Sequence, residues 1–383
     1  MRTETWPTGC STRWPASTAA WRALPLVEND SSAHARVLAA LAVGSCYHPE
    51  AEIPNRWSAR ALDIARELDD PDVIADALLG RILLFSGVAV HSAESMRLLR
   101  ELFELPHQQS RVDSVVAHAV ASMTEMNLAN VDAAVKHVRQ GIIGCELLRL
   151  PVVRVQLRWM EATLAEWYGD FAQARRQYET ARQIHLQTEL YTAGSADLAF
   201  NTLEWERGAL AESDPGVVEP DSWTIAIDAA RGEREATSDG IKKWLINRGP
   251  QTWTTLGHQT LLARVVADLE LVEYADTFIE LLSPHTGCIA TVGHVGELGS
   301  VAEASARLHA LLGHVEQAST LLDQAEKIAT GSGGAPTLLR CRLLRALLRE
   351  PSAERERELT EVAAESETLG MRGVAERARS TWP

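Results

Sequence analysis

The residues of this chain whose types could do chemistry fall into four groups. Asp69, Asp70, Asp72 and Asp76 invite comparison with aspartate-rich motifs that hold magnesium and diphosphate. That chemistry needs carboxylates one helical turn apart on one face, and Pro71 interrupts the cluster, so a capped helix start is expected instead. His285, Cys288 and His294 could meet in one loop as metal ligands, but they follow no spacing known for a zinc site, and an incidental grouping is expected. Gly293, Gly296 and Gly299 recur every third residue, which is neither a dinucleotide fingerprint nor a phosphate loop; they are taken as permissive backbone between two helices. No nucleophile–base set is suggested by any local pattern, so no catalytic residue, no metal and no cofactor is expected.

The fourth group has binding rather than catalytic character. The chain carries 11 Trp against 5 Tyr and 5 Phe. Trp159 and Trp167, with Gln156, Thr163 and Glu166, share one helix, and Met123, Met126 and Asn127 fall on the matching surface of an earlier one. Aromatic and methionine side chains with a few polar neighbours suit a groove for a peptide or an apolar ligand. The same residues equally suit ordinary packing between helices.

What must position these side chains is helical throughout. Apolar residues recur three and four apart over 33–43, 57–68, 72–85, 93–105, 112–126, 131–147, 152–168, 171–185 and 198–205. The period resumes over 225–230, 241–246, 256–282, 301–312, 315–328 and 337–348, with two last helices expected over 353–369 and 374–379. No stretch alternates with period two over a strand's length, so the expected fold is all-α without a sheet. Two irregular stretches stand out: 208–221, rich in Gly, Pro and acids, and 283–299, with one Pro and four Gly. Each is expected to be a hinge or a long surface loop. The organisation that follows is a poorly defined segment 1–29, helical repeats over 30–207, an irregular linker at 208–223, and helical repeats over 224–383.

Composition narrows the partners. The 383 residues have a formal charge of −15, so the chain repels phosphate backbones and direct nucleic-acid binding is not expected. Hydrophobic residues at 46% and charged residues at 23% provide for a folded core. The five Cys form no CxxC pair and suggest reduced thiols in a cytoplasmic protein. No membrane-length apolar run and no signal-peptide pattern is found, and a homo-oligomer stays open.

The connections suggest repeats. Gly169-Asp170 and Gly313-His314 end one helix and start the next at once, which makes antiparallel hairpins. In the best unit, small Ala174 and Ala181 flank Tyr178, and small Ala162 lies in the preceding helix. Ala134, Val138 and Gly141 follow the same spacing, as do Ala318, Leu322 and Ala325 with Ala306 before them. This resembles the tetratricopeptide pattern of about 34 residues per unit, whose hairpins stack into an α-solenoid.

Longer stretches resemble a larger family. Residues 30–42, 58–71 and 77–81, then 147–159 with 166–171, then 281–285, 299–301 and 308–313 are similar to the helical C-terminal region of large actinobacterial transcriptional regulators, the long Streptomyces antibiotic regulatory proteins and their ATPase-coupled relatives. The similarity covers most of residues 22–350 through Ala- and Leu-rich, degenerate motifs. In that family a winged-helix DNA-binding domain and an ATPase domain precede the tetratricopeptide region. No Walker motif and no basic recognition helix is found in this sequence, so neither activity is carried over to any residue. The resemblance implies a sensor module that binds a protein partner or a small effector and biases a regulator, either excised from or encoded apart from one. A stand-alone scaffold bridging other proteins is the other reading.

Overall fold

The protein, seen in a computed structural model, is described over residues 15–186, 194–213 and 222–380. The first stretch forms helices α1 (Pro15–Ala23), α2 (Ser32–Gly44), α3 (Glu52–Leu68), α4 (Pro71–Leu84), α5 (Ser92–Glu104), α6 (Ser110–Asn127), α7 (Val131–Leu148), α8 (Pro151–Tyr168) and α9 (Phe171–His185). Next come α10 (Gly194–Arg207), α11 (Ser222–Ala230), α12 (Arg234–Ile246), α13 (Thr255–Asp268) and α14 (Ala275–Leu282). Strands β1 (Ile289–Thr291) and β2 (Glu297–Ser300) precede α15 (Val301–Leu311), α16 (Val315–Ser332), α17 (Ala335–Leu347), α18 (Ala353–Leu369) and α19 (Arg372–Ser380). Over the described residues the fold is therefore all-α apart from one short hairpin.

Local chemistry sets the helix ends. Asp70 accepts hydrogen bonds from the backbone N–H of Asp72 and Val73 at the start of α4, with Pro71 at its first position. Asp170 and Ser352 accept in the same way from Gln173 and Arg355. Asp72 receives the backbone N–H of Gln108, and Asp76 pairs with Arg36, so the four aspartates are spread over caps and surface pairs. The apolar stretch over 256–282 is divided where Glu270 turns left-handed (φ 52°), which ends α13 and starts α14 as a separate helix.

Consecutive helices pack on one another along the chain, closest in the pairs α2/α3, α6/α7, α8/α9 and α15/α16. At the α8/α9 contact Ala162, Ala174, Ala181 and Tyr178 are all buried, as their sizes anticipated. Ala134, Val138 and Gly141 on α7 are buried as well, as are Ala306 on α15 and Ala318, Leu322 and Ala325 on α16.

Residues 283–299 correct the sequence reading twice. They contain a strand pair, and they are neither hinge nor surface loop: every residue from Ile289 to Ser300 is buried except half-buried His294. β1 and β2 run antiparallel, with Ile289 opposite Ser300, Thr291 opposite Glu297 and an irregular register between them. β1 packs on α6 and α13; β2 packs on α8, α10, α13, α15, α16 and α17. Ile289 joins the core formed by the early helices, whereas Ala290, Val292, Val295 and Leu298 join the core of the later ones. The hairpin thus stitches two hydrophobic cores together. With both faces buried, neither strand shows the polar–apolar alternation that reveals a half-exposed strand.

The later core also contains Trp159 and Tyr178 from one side of the expected linker and Trp223 and Phe278 from the other. Of residues 208–223, Leu210–Glu212 form a single 3-10 turn and Ser222 begins α11; 214–221 lie outside the described residues, as do 1–14 and 381–383.

Candidate functional site

The eight residues expected to line a groove lie on α6 and α8, and the hairpin packs on both helices, β1 on α6 and β2 on α8. Met123, Met126, Asn127, Trp159, Thr163, Glu166 and Trp167 are buried, and Gln156 is half-buried. Asn127 accepts hydrogen bonds from the hydroxyl of Thr291 at 2.8 Å and from its backbone N–H at 3.4 Å. Thr163 donates to the carbonyl of Trp159, with a longer contact to that of His294, and the His294 ring lies 3.2 Å from the carbonyl of Ala119. The Trp167 indole N–H donates to the carbonyl of Ser332. At Asn127 and Thr163, therefore, the expected groove is met by the chain's own hairpin.

Beneath β2 lies a buried ionic cluster that the sequence reading missed. Glu206 on α10 binds the Arg264 guanidinium of α13 at 2.8 Å and the Arg340 guanidinium of α17. Arg264 also donates to the carbonyl of Leu298 in β2 at 3.2 Å, and Arg340 to the Thr337 hydroxyl at 2.9 Å. Glu303 on α15 pairs with Arg307, which reaches Asp268 at 2.8 Å. Burial alone would raise the Glu206 carboxyl, but Arg340 and Arg264 outweigh it and hold it below its ordinary value. Glu303 goes the same way, down to about 2, because Arg307 and Arg340 overcome its burial. Two other carboxyls move in the opposite direction. Burial and the Glu206 charge raise Glu297 to about 7; burial and Glu297 push Glu166 well above its ordinary value, while Tyr178 donates to Glu166 at 2.7 Å. Carboxyls pushed up in this way are a pattern of general acid–base pairs. Here both are sealed: Glu166 is 0% and Glu297 1% exposed.

A cavity of about 330 Å³ opens over Glu206, Arg264, Arg307 and Arg340. Each of these guanidinium groups has a carboxylate partner, with Arg264 and Arg340 sharing Glu206 and Arg307 reaching Asp268.

The larger open space lies at the other end of the hairpin. A pocket of about 860 Å³ is walled by the segment between α12 and α13, by the first turns of α13, and by Tyr47, which follows α2. Its wall residue Trp253 is also the seat of the hairpin turn. The carbonyl of Trp253 accepts the backbone N–H of Gly293 at 3.1 Å, and the indole lies flush against Gly293, where a Cβ would collide with the ring. Gly293 has φ +55°, so the turn needs glycine for conformation as well as for room. The Trp253 indole N–H in turn donates to the Tyr47 hydroxyl at 2.6 Å. One side chain thereby links pocket, hairpin and the early helices.

Deeper in the pocket are His258 and Gln259, 3% and 4% exposed. Burial lowers His258 to about 3, so its imidazole is neutral at any physiological pH. These residues escaped the sequence reading because α13 is buried on nearly all sides, from Leu256 to Ala267, which leaves no face to compare. The available signal was polar residues, His258 to Thr260 and Arg264, within a helix otherwise apolar all round.

His285 sits in the 3-10 turn after α14, Cys288 just before β1, and His294 in the hairpin turn. Among the described residues no group of three or more His, Cys, Asp or Glu is arranged to hold a metal ion, no disulfide forms, and no helix is long and apolar enough to cross a membrane. No protein-family model and no curated protein matches the chain.

Proposed function

We propose that this chain is a tetratricopeptide-like α-solenoid acting without catalysis, the sensor and interaction module of a transcriptional regulator of the kind that governs secondary metabolism, and that it responds to a small effector. The helix-hairpin succession and the regional resemblance support the architecture. The observation that carries the sensing role is the double duty of Trp253. It walls an open pocket of about 860 Å³, and it holds the turn of a hairpin on which two cores converge. Occupancy of the pocket changes the free energy of that contact, and a ligand shifts an equilibrium only through such differential contact. The partner in trans, or the remainder of one longer regulator, would then read the hairpin's state through the helices packed around it.

The test is genetic. The coding gene is deleted in its source organism and restored as wild type, as Trp253→Ala, or as Tyr47→Phe, which removes only the hydroxyl that Trp253 meets. Deletion is expected to change the transcripts of a biosynthetic cluster and wild type to restore them. Both variants are expected to restore them incompletely while the protein accumulates normally. Unchanged transcripts beside the loss of a metabolic conversion would point to an enzyme instead.

A further inference from the structure

We propose that the pocket at the hairpin turn binds an uncharged, planar ligand that presents a hydrogen-bond donor beside an acceptor, as a lactam, imide or primary amide on an aromatic body does. This deepens the sensor reading and rests on it.

The polar groups at the inner end of the pocket are the first ground. The Nε2 of His258 is buried without a hydrogen-bond partner, and the Gln259 amide, which lines the pocket beside it, has no partner among the described residues. A buried polar atom without a partner destabilises the fold, so the His258 Nε2 beside a pocket needs a reason. A neutral imidazole offers one N–H donor and one acceptor nitrogen, and a carboxamide offers both kinds as well. Together they complement a ligand edge that both donates and accepts. Other hydroxyls nearby do not compete for that edge. Thr252 and Thr255 are within 3.2 Å of each other, and the Thr255 hydroxyl also accepts the Thr252 backbone N–H at 2.8 Å.

Charge is the second ground. His258 stays neutral, and the single ionised side chain in the lining is Arg248, which is exposed and already donates to the Leu245 carbonyl at 3.1 Å. An ionised ligand group would lose its hydration at the inner end and find no countercharge there. Shape is the third. Leu198, Leu281 and Trp244 form an apolar wall, and Trp244 is held by stacking on Phe278, with ring centres 6.1 Å apart and planes at 17°. A pocket of about 860 Å³ fits within the range of small-molecule sites, and a flat aromatic body suits a wall whose own ring cannot swing away.

The experiment measures melting of the full chain with four probes at saturating concentration. 2-Quinolone and 1-naphthamide carry the donor–acceptor edge, N-methyl-2-quinolone lacks the donor, and quinoline-2-carboxylate is charged. The first two are expected to raise the Tm by about 2 °C at tenfold excess over their dissociation constants, and the last two to leave it unchanged. Gln259→Met and His258→Phe should each abolish the response. His258→Phe should also leave the ligand-free Tm equal or higher, because a partnerless buried nitrogen is gone. No response to either amide probe overturns the proposal, as does an equal response to N-methyl-2-quinolone, or a response that survives in Gln259→Met. A response to the carboxylate alone, lost in Arg248→Ala, overturns the ligand class and leaves the pocket a sensor site; the transcript measurement above decides the sensor reading separately.

Discussion

The hydroxyl of Thr291 in β1 donates to the side-chain oxygen of Asn127 at the end of α6 across 2.8 Å, joining residues 164 positions apart. Both residues are buried, and the backbone N–H of Thr291 reaches the same oxygen. Asn127 is therefore the acceptor that fixes β1 over the earlier helices. Replacing it by Leu keeps the branched outline but strips two donors of their partner. The unfolding free energy is expected to fall by about 2 kcal/mol. Hydrogen exchange at the hairpin amides should accelerate more than at α18, and uniform acceleration would count against this local role.

The helices were readable in the sequence because each buries one face and shows a three-and-four period, as α3 and α9 do. Caps such as Asp70 and Asp170 marked their ends. The hairpin was not readable. Its strands have three and four residues, both faces are buried, and glycines at 293, 296 and 299 look like loop punctuation. The groove candidates lie on α6 and α8, and the packing of the hairpin on those helices depends on a pairing between distant segments that no local pattern encodes. The ionic cluster was hidden for the same reason. Glu206, Arg264, Glu303 and Arg340 come from four helices, and each alone resembles a surface charge.

Glu206 offers a sharper test, since its carboxylate serves both Arg264 and Arg340. Glu206→Gln leaves two buried guanidinium groups with a neutral partner, and removing one member of such a set costs about 3–5 kcal/mol. A triple variant with Leu at 206 and Met at 264 and 340 removes the charges together and is expected to regain most of that loss. Chemical denaturation of the three proteins checks this; a triple variant weaker than Glu206→Gln would show that the cluster contributes net stability.

Two carboxyls of the same region make stability depend on pH in opposite senses. Glu297 titrates near 7 when folded against an ordinary 4.5, so its contribution is complete below 4.5 and is lost as pH rises through 7. Glu303 titrates near 2 when folded, so its contribution is complete above 4.5 and is lost as pH falls toward 2. Glu166 moves in the same direction as Glu297. From about pH 5 to about pH 8 the Glu297 contribution should drop by roughly 2.5 kcal/mol, since a proton held by the folded chain alone changes it by about 1.4 kcal/mol per pH unit. His118, His258 and His294, all held below their ordinary value by burial, change stability in the opposite sense as pH rises toward 6.5, so the contribution is read as the difference between wild type and Glu297→Gln. In Glu297→Gln that contribution should vanish while the acid limb of Glu303 stays. Urea titrations across pH measure both, and an unchanged alkaline slope would dismiss Glu297 as its source.

Trp167 can be tested without truncating it. Gly334, at the start of α17, has φ −74° and ψ 71°, so its backbone makes no demand for glycine. The demand is steric: a Cβ there would collide with the six-membered ring of Trp167, which is buried and tied through its N–H to the Ser332 carbonyl at 3.2 Å. Gly334→Ala must displace either the indole or α17, and overpacking of this kind costs about 1–3 kcal/mol. Placed on Trp167→Leu, the same substitution has room, and it should cost little or even stabilise by filling space. The difference between the two backgrounds, read from thermal or chemical unfolding, is the coupling between Trp167 and position 334. A coupling above about 1 kcal/mol makes Trp167 a packing anchor between α8 and α17. Additive effects would mean that the ring moves aside freely, as a side chain facing an adaptable groove would.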